Sequence, residues 1–77
     1  MDIQWKYAAD ARDPITVIIF DRRGRNKERF NERFLNTVNN FTSILTIRNV
    51  QTSDTGTYIC RERTASTQWS AQLMVVG

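Results

Sequence analysis

The stretch DTGTYIC, residues 54–60, carries the single cysteine of this 77-residue chain. Its first half favours a tight turn, because Asp bonds its own backbone and Gly56 can take a positive φ. Its second half alternates in the manner of a strand, with Tyr58 and Cys60 on one face. Tyr58 can bury its ring if its hydroxyl finds a backbone acceptor. The stretch therefore predicts a strand that starts directly after a turn and carries a thiol into an apolar interior.

On both sides of this stretch, period-two runs rich in β-branched and aromatic residues cover most of the chain. Turn residues separate them at Asp13-Pro14, Arg23-Gly24 and Asn39-Asn40. A single helical turn is predicted over Gln51–Thr55, and no segment keeps a helical period for longer. Short strands at regular spacing predict one all-β domain over residues 1–77, a sandwich or a barrel. The predicted strands are Ile3–Ala8, Ile15–Asp21, Arg33–Val38, Phe41–Val50, Thr57–Arg63 and Trp69–Val76, with an edge segment near Lys27–Phe30.

Alternation assigns the faces of the predicted strands. In the run 41–50, Ser43, Leu45 and Ile47 share the inward face. In the last run, Trp69 is in step with Leu73 on the inward side, so it either caps the core or contacts a ligand. Met74 is predicted to face outward beside Ile59, as a small apolar patch.

Composition excludes several classes of function. One cysteine and no histidine leave no disulfide within the chain, no zinc site and no base for a thiol nucleophile. No pair of carboxylates suggests acid–base catalysis. We therefore expect no enzyme, no metal and no cofactor. The net charge of +3 permits an anionic partner without requiring one, and nothing points to nucleic acid.

Targeting features are equally sparse. No apolar run approaches the ~20 residues of a membrane span, and the residues after Met1 do not form a secretory leader. We expect either a cytosolic chain or a piece of a longer protein.

The run LTIRNVQTSDTGTYIC, residues 45–60, resembles strands E and F of an immunoglobulin variable-type (V-set) domain. A tyrosine two residues before a cysteine is the tyrosine corner of that fold. The likeness extends from about Ile3 to Val76, and it implies an immunoglobulin-like β-sandwich with strands C to G. Trp5 resembles the core tryptophan of strand C, and Arg33 resembles the arginine that pairs with the aspartate of the F-strand motif. The residues given structural roles are Trp5, Arg33, Leu45, Asp54, Gly56, Tyr58 and Cys60.

Two departures from the family pattern matter. The family's first cysteine lies on strand B, roughly a dozen residues before the tryptophan, whereas four residues precede Trp5. The resemblance therefore implies an N-terminally truncated domain without strands A and B or the partner of Cys60. The last strand, TQWSAQLMVVG, lacks the Gly-x-Gly bulge of antigen receptors. It is more similar to cell-surface receptors of the butyrophilin, junctional-adhesion and sodium-channel β-subunit kind.

The function implied by this resemblance is extracellular recognition by a cell-surface immune or adhesion receptor. The partner would be another protein or a second copy of the chain. Any membrane attachment would come from an anchor elsewhere in a parent protein. Binding is expected through the G-F-C-C′ sheet and the F–G loop, at Gln4, Lys6, Phe20, Ile59, Arg61, Arg63 and Met74.

Three further possibilities stay open at this level. The segment DRRGRNKER, residues 21–29, is either an anionic-glycan or lipid-headgroup site or a solvated hairpin tip. The domain could also serve only to pack on its neighbours. Asn40 starts an N-x-T sequon at a predicted turn, which is either a glycosylation site or a chance triplet. The residues of the anionic site would be Arg22, Arg23, Arg25, Lys27 and Arg29.

Overall fold

The computed structural model describes residues 2–10, 12, 15–39 and 42–76. The sequon residue Asn40 and the predicted strand start at Phe41 lie outside these described residues. Within them the chain is all β apart from one 3-10 turn at Thr52–Asp54. The strands are β1 (Ile3–Ala8), β2 (Val17–Asp21), β3 (Gly24–Arg25), β4 (Phe34–Val38), β5 (Ser43–Ile47), β6 (Gly56–Glu62) and β7 (Thr67–Leu73).

Two antiparallel sheets make up the fold. The larger has the strand order β3-β2-β1-β6-β7, and the smaller pairs β4 with β5. A side-chain bridge joins them, because Trp5 Nε1 donates to Ser43 Oγ at 3.0 Å and Ser43 Oγ donates to Asn36 Oδ1 at 3.0 Å. The prediction of an all-β sandwich is confirmed.

Strand boundaries match the predictions best near the middle of the larger sheet. β1 has the predicted ends, and the predicted helical turn is present as a 3-10 turn. The edge segment predicted near Lys27–Phe30 is wrong, since residues 27–29 form a turn. The edge pairing occurs earlier, where Gly24 and Arg25 pair with β2.

The last strand lies closer to the turn than predicted. β7 starts at Thr67 and ends at Leu73, whereas the alternation placed it at Trp69–Val76. The reason is a short connection from β6, in which Thr67 pairs directly with Glu62. Glu62 Oε1 accepts the backbone N–H of Thr64 at 2.7 Å, which holds this turn closed.

The core lies between the two sheets, near the larger sheet's centre. Ile19, Phe20, Phe34 and Tyr58 are buried there, and Ile19 is fully buried. The predicted inward face of β5 is confirmed, because Leu45 and Ile47 pack against this cluster. Around it lie the partly buried rings of Trp5, Tyr7 and Phe30 together with Leu73.

The strand at one edge of the larger sheet, β7, is largely exposed. On β7 six of the seven residues are exposed, although the strand is paired along its whole length with β6. Trp69 lies opposite Cys60, which lies opposite Trp5. These three side chains form a row that we call the inner row. Exposure increases along it, from half-buried Trp5 and Cys60 to Trp69 at 59%.

The turn before β6 has the tyrosine corner that the sequence predicts. The buried Tyr58 hydroxyl donates to the Asp54 carbonyl at 2.6 Å. Burial, together with the negative charge of Asp54, raises the pKa of Tyr58 to about 12. The neighbouring Tyr7 hydroxyl donates to the Thr55 carbonyl at 2.7 Å, and the two rings lie 5.3 Å apart. Both hydroxyls therefore hold the same turn.

Arg33 and Asp54 form a two-pronged ion pair beside this corner. Their N–O distances are 2.9 and 3.1 Å, and their side chains are 18% and 6% exposed. Arg33 also donates to the carbonyls of Arg48 and Asn49, each at 3.2 Å. Asp54 accepts the backbone N–H of Gln51 at 2.8 Å. The hydrogen bonds from Arg33 hold the pKa of Asp54 below its ordinary value of 3.8.

Gly56 has no room for a side chain. A Cβ at this position would collide with the Tyr7 ring and would lie 2.7 Å from the Ala8 carbonyl oxygen. We predict that Gly56→Ala lowers the free energy of unfolding by about 1–3 kcal/mol through overpacking. Urea denaturation would measure this. Gly24→Ala is the control for backbone strain without steric crowding, because Gly24 also has a positive φ, +107°, but its Cβ would meet nothing within 4 Å. Equal losses in both variants would contradict the steric explanation.

Asp54→Asn should remove a pH-dependent part of the stability. Because the folded-state pKa is lowered, the charged Asp54 stabilises the fold above about pH 4. That contribution is lost as pH falls through the folded-state value. We expect a loss of about 3 kcal/mol at pH 7, measured by urea denaturation, and a shrinking difference from the unsubstituted chain below pH 4.

The matched control for that experiment is Glu28→Gln, which removes a carboxylate from an exposed turn. It should change the unfolding free energy by less than about 0.5 kcal/mol. A gap between Asp54→Asn and the unsubstituted chain that stays constant down to pH 2 would contradict the ion-pair account.

Candidate functional site

The outer face of the larger sheet, directed away from β4 and β5, brings together most of the predicted contact residues. Lys6 lies between Ile18 on β2 and Ile59 on β6. Further along β1, Gln4 lies opposite Arg61, although Gln4 is largely buried, at 9% exposure. Cross-strand partners share a face, and Trp5 points to the other side, toward Ser43. We call the five residues Gln4, Lys6, Ile18, Ile59 and Arg61 the outer patch.

Phe20 does not belong to this surface, so its predicted contact role is corrected. The register shifts between Trp5 and Lys6, so that Phe20 lies opposite Trp5 while Ile18 lies opposite Lys6. Ile19 is the extra residue, and this bulge turns Phe20 from the outer face to the core, where it is 7% exposed. Ile18, at 37% exposure, provides the apolar group that alternation assigned to Phe20.

Met74 is also misplaced by the prediction. β7 ends at Leu73, which pairs with Gly56, whereas Ile59 pairs with Ser70. Met74 therefore lies beyond the strand, several residues from Ile59 along the sheet. Its side chain is 79% exposed, but it does not form an apolar patch with Ile59.

The five basic residues of the hairpin do not form one surface. Arg25 shares a depression with Arg23 but reaches back toward β4, where its guanidinium lies 3.5 Å from the Phe34 carbonyl. Lys27 lies in the exposed turn 27–29. Arg29 lines a separate depression with Phe30, Phe34 and Tyr58. A continuous anionic-glycan site along residues 22–29 is therefore not what the fold presents.

Arg22 and Arg23 instead join the two arginines near the end of β6. The four surround a depression of about 400 Å³, which we call the arginine pocket: Arg22, Arg23, Arg61 and Arg63. Gln4, Ile18 and Asp21 complete its lining. The pocket connects the outer patch with the β2–β3 turn, so it unites residues from two predicted sites.

The turn that carries Arg22 and Arg23 is well defined. Asp21 Oδ1 accepts the backbone N–H of Arg23 at 2.8 Å, and Asp21 pairs with Gly24. Gly24 has φ +107°, a conformation that side chains disfavour. This turn fixes the backbone of both arginines at the rim of the pocket.

Charge in the arginine pocket is poorly balanced. Within the described part of the chain, the ion pairs are Arg33–Asp54 and a loose Arg63–Asp2 contact at 3.8 Å. Arg22, Arg23 and Arg61 therefore have no such partner there, and Asp21 is the pocket's single carboxylate.

Cys60 is a half-buried free thiol in the inner row. Burial raises the pKa of Cys60 above its ordinary value, and the negative charge of Glu62 raises it further. The protonated thiol is a poor nucleophile. Among the described residues, no group of three or more His, Cys, Asp or Glu side chains is arranged to hold a metal ion. The same residues include no helix long and apolar enough to span a membrane.

Sequence reasoning missed two residues that shape this end of the sheet. Glu62 is 8% exposed, and it accepts the backbone N–H of Asp2 at 3.0 Å as well as that of Thr64. Hydrogen bonds, foremost from the Thr64 side chain, lower the pKa of Glu62. Ile18 was missed because alternation alone cannot show a bulge. Glu62 had a weak signal, since it is an acid two residues before a Thr in a turn.

Comparison with protein families supports the fold. The family model of the immunoglobulin V-set domain matches residues 1–75. Comparisons with curated proteins and with solved structures find no match. Domains of this family are typically non-enzymatic, extracellular recognition modules that bind other proteins. With a sandwich of two sheets, a tyrosine corner and a family match over nearly its whole length, the chain belongs to the immunoglobulin V-set family.

Proposed function

We propose that this chain is the recognition module of a cell-surface immune or adhesion receptor, as part of a longer protein, and that it binds a protein partner through the outer patch. The observation that carries this proposal is the row Ile18–Lys6–Ile59 across three strands. It places Lys6 between two isoleucines on three paired strands.

This composition suits a protein interface. Apolar groups at the centre of an interface supply the desolvated contact, while charged groups near the edge orient the partner and speed association. Ile18 and Ile59 would form the centre, with Lys6, Gln4 and Arg61 around them. Arg63 extends the basic side of the patch.

The proposal is tested with a tetramerised form of the chain on an array of purified cell-surface ectodomains. We expect at least one ectodomain to bind. Ile59→Ser and Lys6→Gln should each weaken that binding about tenfold or more, because they remove the centre of the interface.

Each variant has a matched control on another surface. Ile44→Ser removes an isoleucine that is 55% exposed on the outer side of the smaller sheet, and Lys27→Gln removes the lysine of the exposed turn. Both should bind like the unsubstituted chain. Equal losses in the controls, or no bound ectodomain, would count against recognition through the outer patch.

We also propose that the inner row is covered in the native protein by strands equivalent to the A and B strands of the family, supplied from outside these residues. The support is the exposure of the inner row on the side that normally faces the second sheet, with Trp69 at 59%. Exposed apolar surface of this kind favours association.

The 77-residue chain by itself should therefore self-associate in solution, and reductant should not separate the copies, because the thiol is held protonated. Analytical ultracentrifugation with and without reductant measures this. Trp69→Ser should weaken the association, whereas Ile44→Ser should not. A folded monomer would contradict the need for a cover. A dimer that reductant separates would show instead that Cys60 bridges two copies.

A further inference from the structure

The arginine pocket has no assigned role in an interface whose centre is apolar. We propose that it binds a run of adjacent carboxylates on an acidic segment of a protein partner. This inference rests on the proposed recognition function, and it adds the chemistry of the partner at that site.

The arginine pocket carries an excess of positive charge. Four guanidinium groups surround the pocket, and Asp21 is the single carboxylate that the described residues place in its lining. Of the four, Arg63 has a loose contact with Asp2. The backbone N–H of Arg23 already occupies Asp21 Oδ1. Like charges held close together repel, and this repulsion is relieved when a counter-charge binds. The pocket is therefore matched to a ligand with more than one negative charge.

The arginines reach the pocket from two different elements of the fold. Arg61 comes from the middle of the sheet, where it pairs with Gln4 and Gln68. Arg22 and Arg23 come from a turn that Asp21 and Gly24 hold in place. The guanidinium fork binds a carboxylate through two parallel hydrogen bonds. Forks that approach from two different elements would hold two neighbouring carboxylates rather than one.

The apolar side of the pocket favours a protein over a sulfated glycan. Ile18 lines the pocket and continues directly into the outer patch through Lys6. A sulfated glycan would use a longer stripe of positive charge, but Lys27 and Arg29 lie elsewhere. Arg25 shares a depression with Arg23, yet its guanidinium turns toward the Phe34 carbonyl. A depression of about 400 Å³ beside an apolar centre suits a few side chains of a polypeptide.

The test uses a short capped peptide of alternating Asp and Glu, with an Asn/Gln peptide of the same length as its control. Binding to the 77-residue chain is followed by the chemical shifts of the arginine side-chain N–H groups. The acidic peptide should bind and shift the signals of Arg23 and Arg61. Its Kd should rise steeply with salt, because the contact is between exposed charges.

Matched double variants separate the pocket from the general charge of the domain. Arg23→Gln/Arg61→Gln should weaken acidic-peptide binding at least tenfold, as expected for lost charge-assisted hydrogen bonds. Lys27→Gln/Arg29→Gln removes the same charge away from the pocket and should change the Kd less than twofold. Circular dichroism confirms that both variants remain folded.

Three outcomes would overturn this proposal: equal losses in the two double variants, equal binding of the Asn/Gln peptide, or tighter binding of a heparin-derived tetrasaccharide at the same pocket. Failure here is distinguishable from failure of the recognition function. The ectodomain test depends on Lys6 and Ile59, which this experiment leaves intact. An ectodomain bound through those residues without acidic-peptide binding would retain the function and exclude the acidic partner.

Discussion

The end of the sandwich where β4 begins, β5 ends and β6 begins depends on the ion pair between Arg33 and Asp54. One guanidinium bonds the carboxylate and two carbonyls of the bend after β5. The same aspartate residue offers its carbonyl to Tyr58, which lies in the core. The start of β4, the end of β5 and the start of β6 therefore meet around one residue. A pair so little exposed to solvent is costly to break, because the partner left behind keeps a buried charge.

The orientation of the β2 side chains decides which of them enter the core and which lie on the outer surface. A single extra residue, Ile19, lets both Ile19 and Phe20 enter the core while Ile18 stays outside. A small domain gains from this arrangement, because two large side chains of one short strand are buried instead of one. The same bulge gives the outer patch an isoleucine on each side of Lys6, which is the basis of the proposed recognition surface.

Charge is distributed unevenly over the molecule. The carboxylates of Asp54 and Glu62 are buried, and each accepts several hydrogen bonds. The pKa of each is lowered. Acidification therefore removes stabilising interactions at the two ends of β6. Around the arginine pocket, by contrast, Arg22, Arg23 and Arg61 have no ion-pair partner among the described residues. The acids stabilise the fold, while the uncompensated arginines stand where a partner could neutralise them.

The features that the sequence alone predicted are local ones. The DTGTYIC run predicted the turn, the tyrosine corner and the strand that follows, because these depend on residues a few positions apart. Through a resemblance to a known family, the sequence also predicted the Arg33–Asp54 pair and a core position for Trp5. Alternation predicted the face of Leu45 and Ile47 correctly, since β5 has no bulge. Tertiary structure decided the rest. The bulge at Ile19 reversed Phe20, and the turns after β2 separated Arg22 and Arg23 from Arg29. A period-two pattern shows neither effect, because the bulge arises from the pairing of β2 with β1 and the place of the arginines depends on turn geometry and packing.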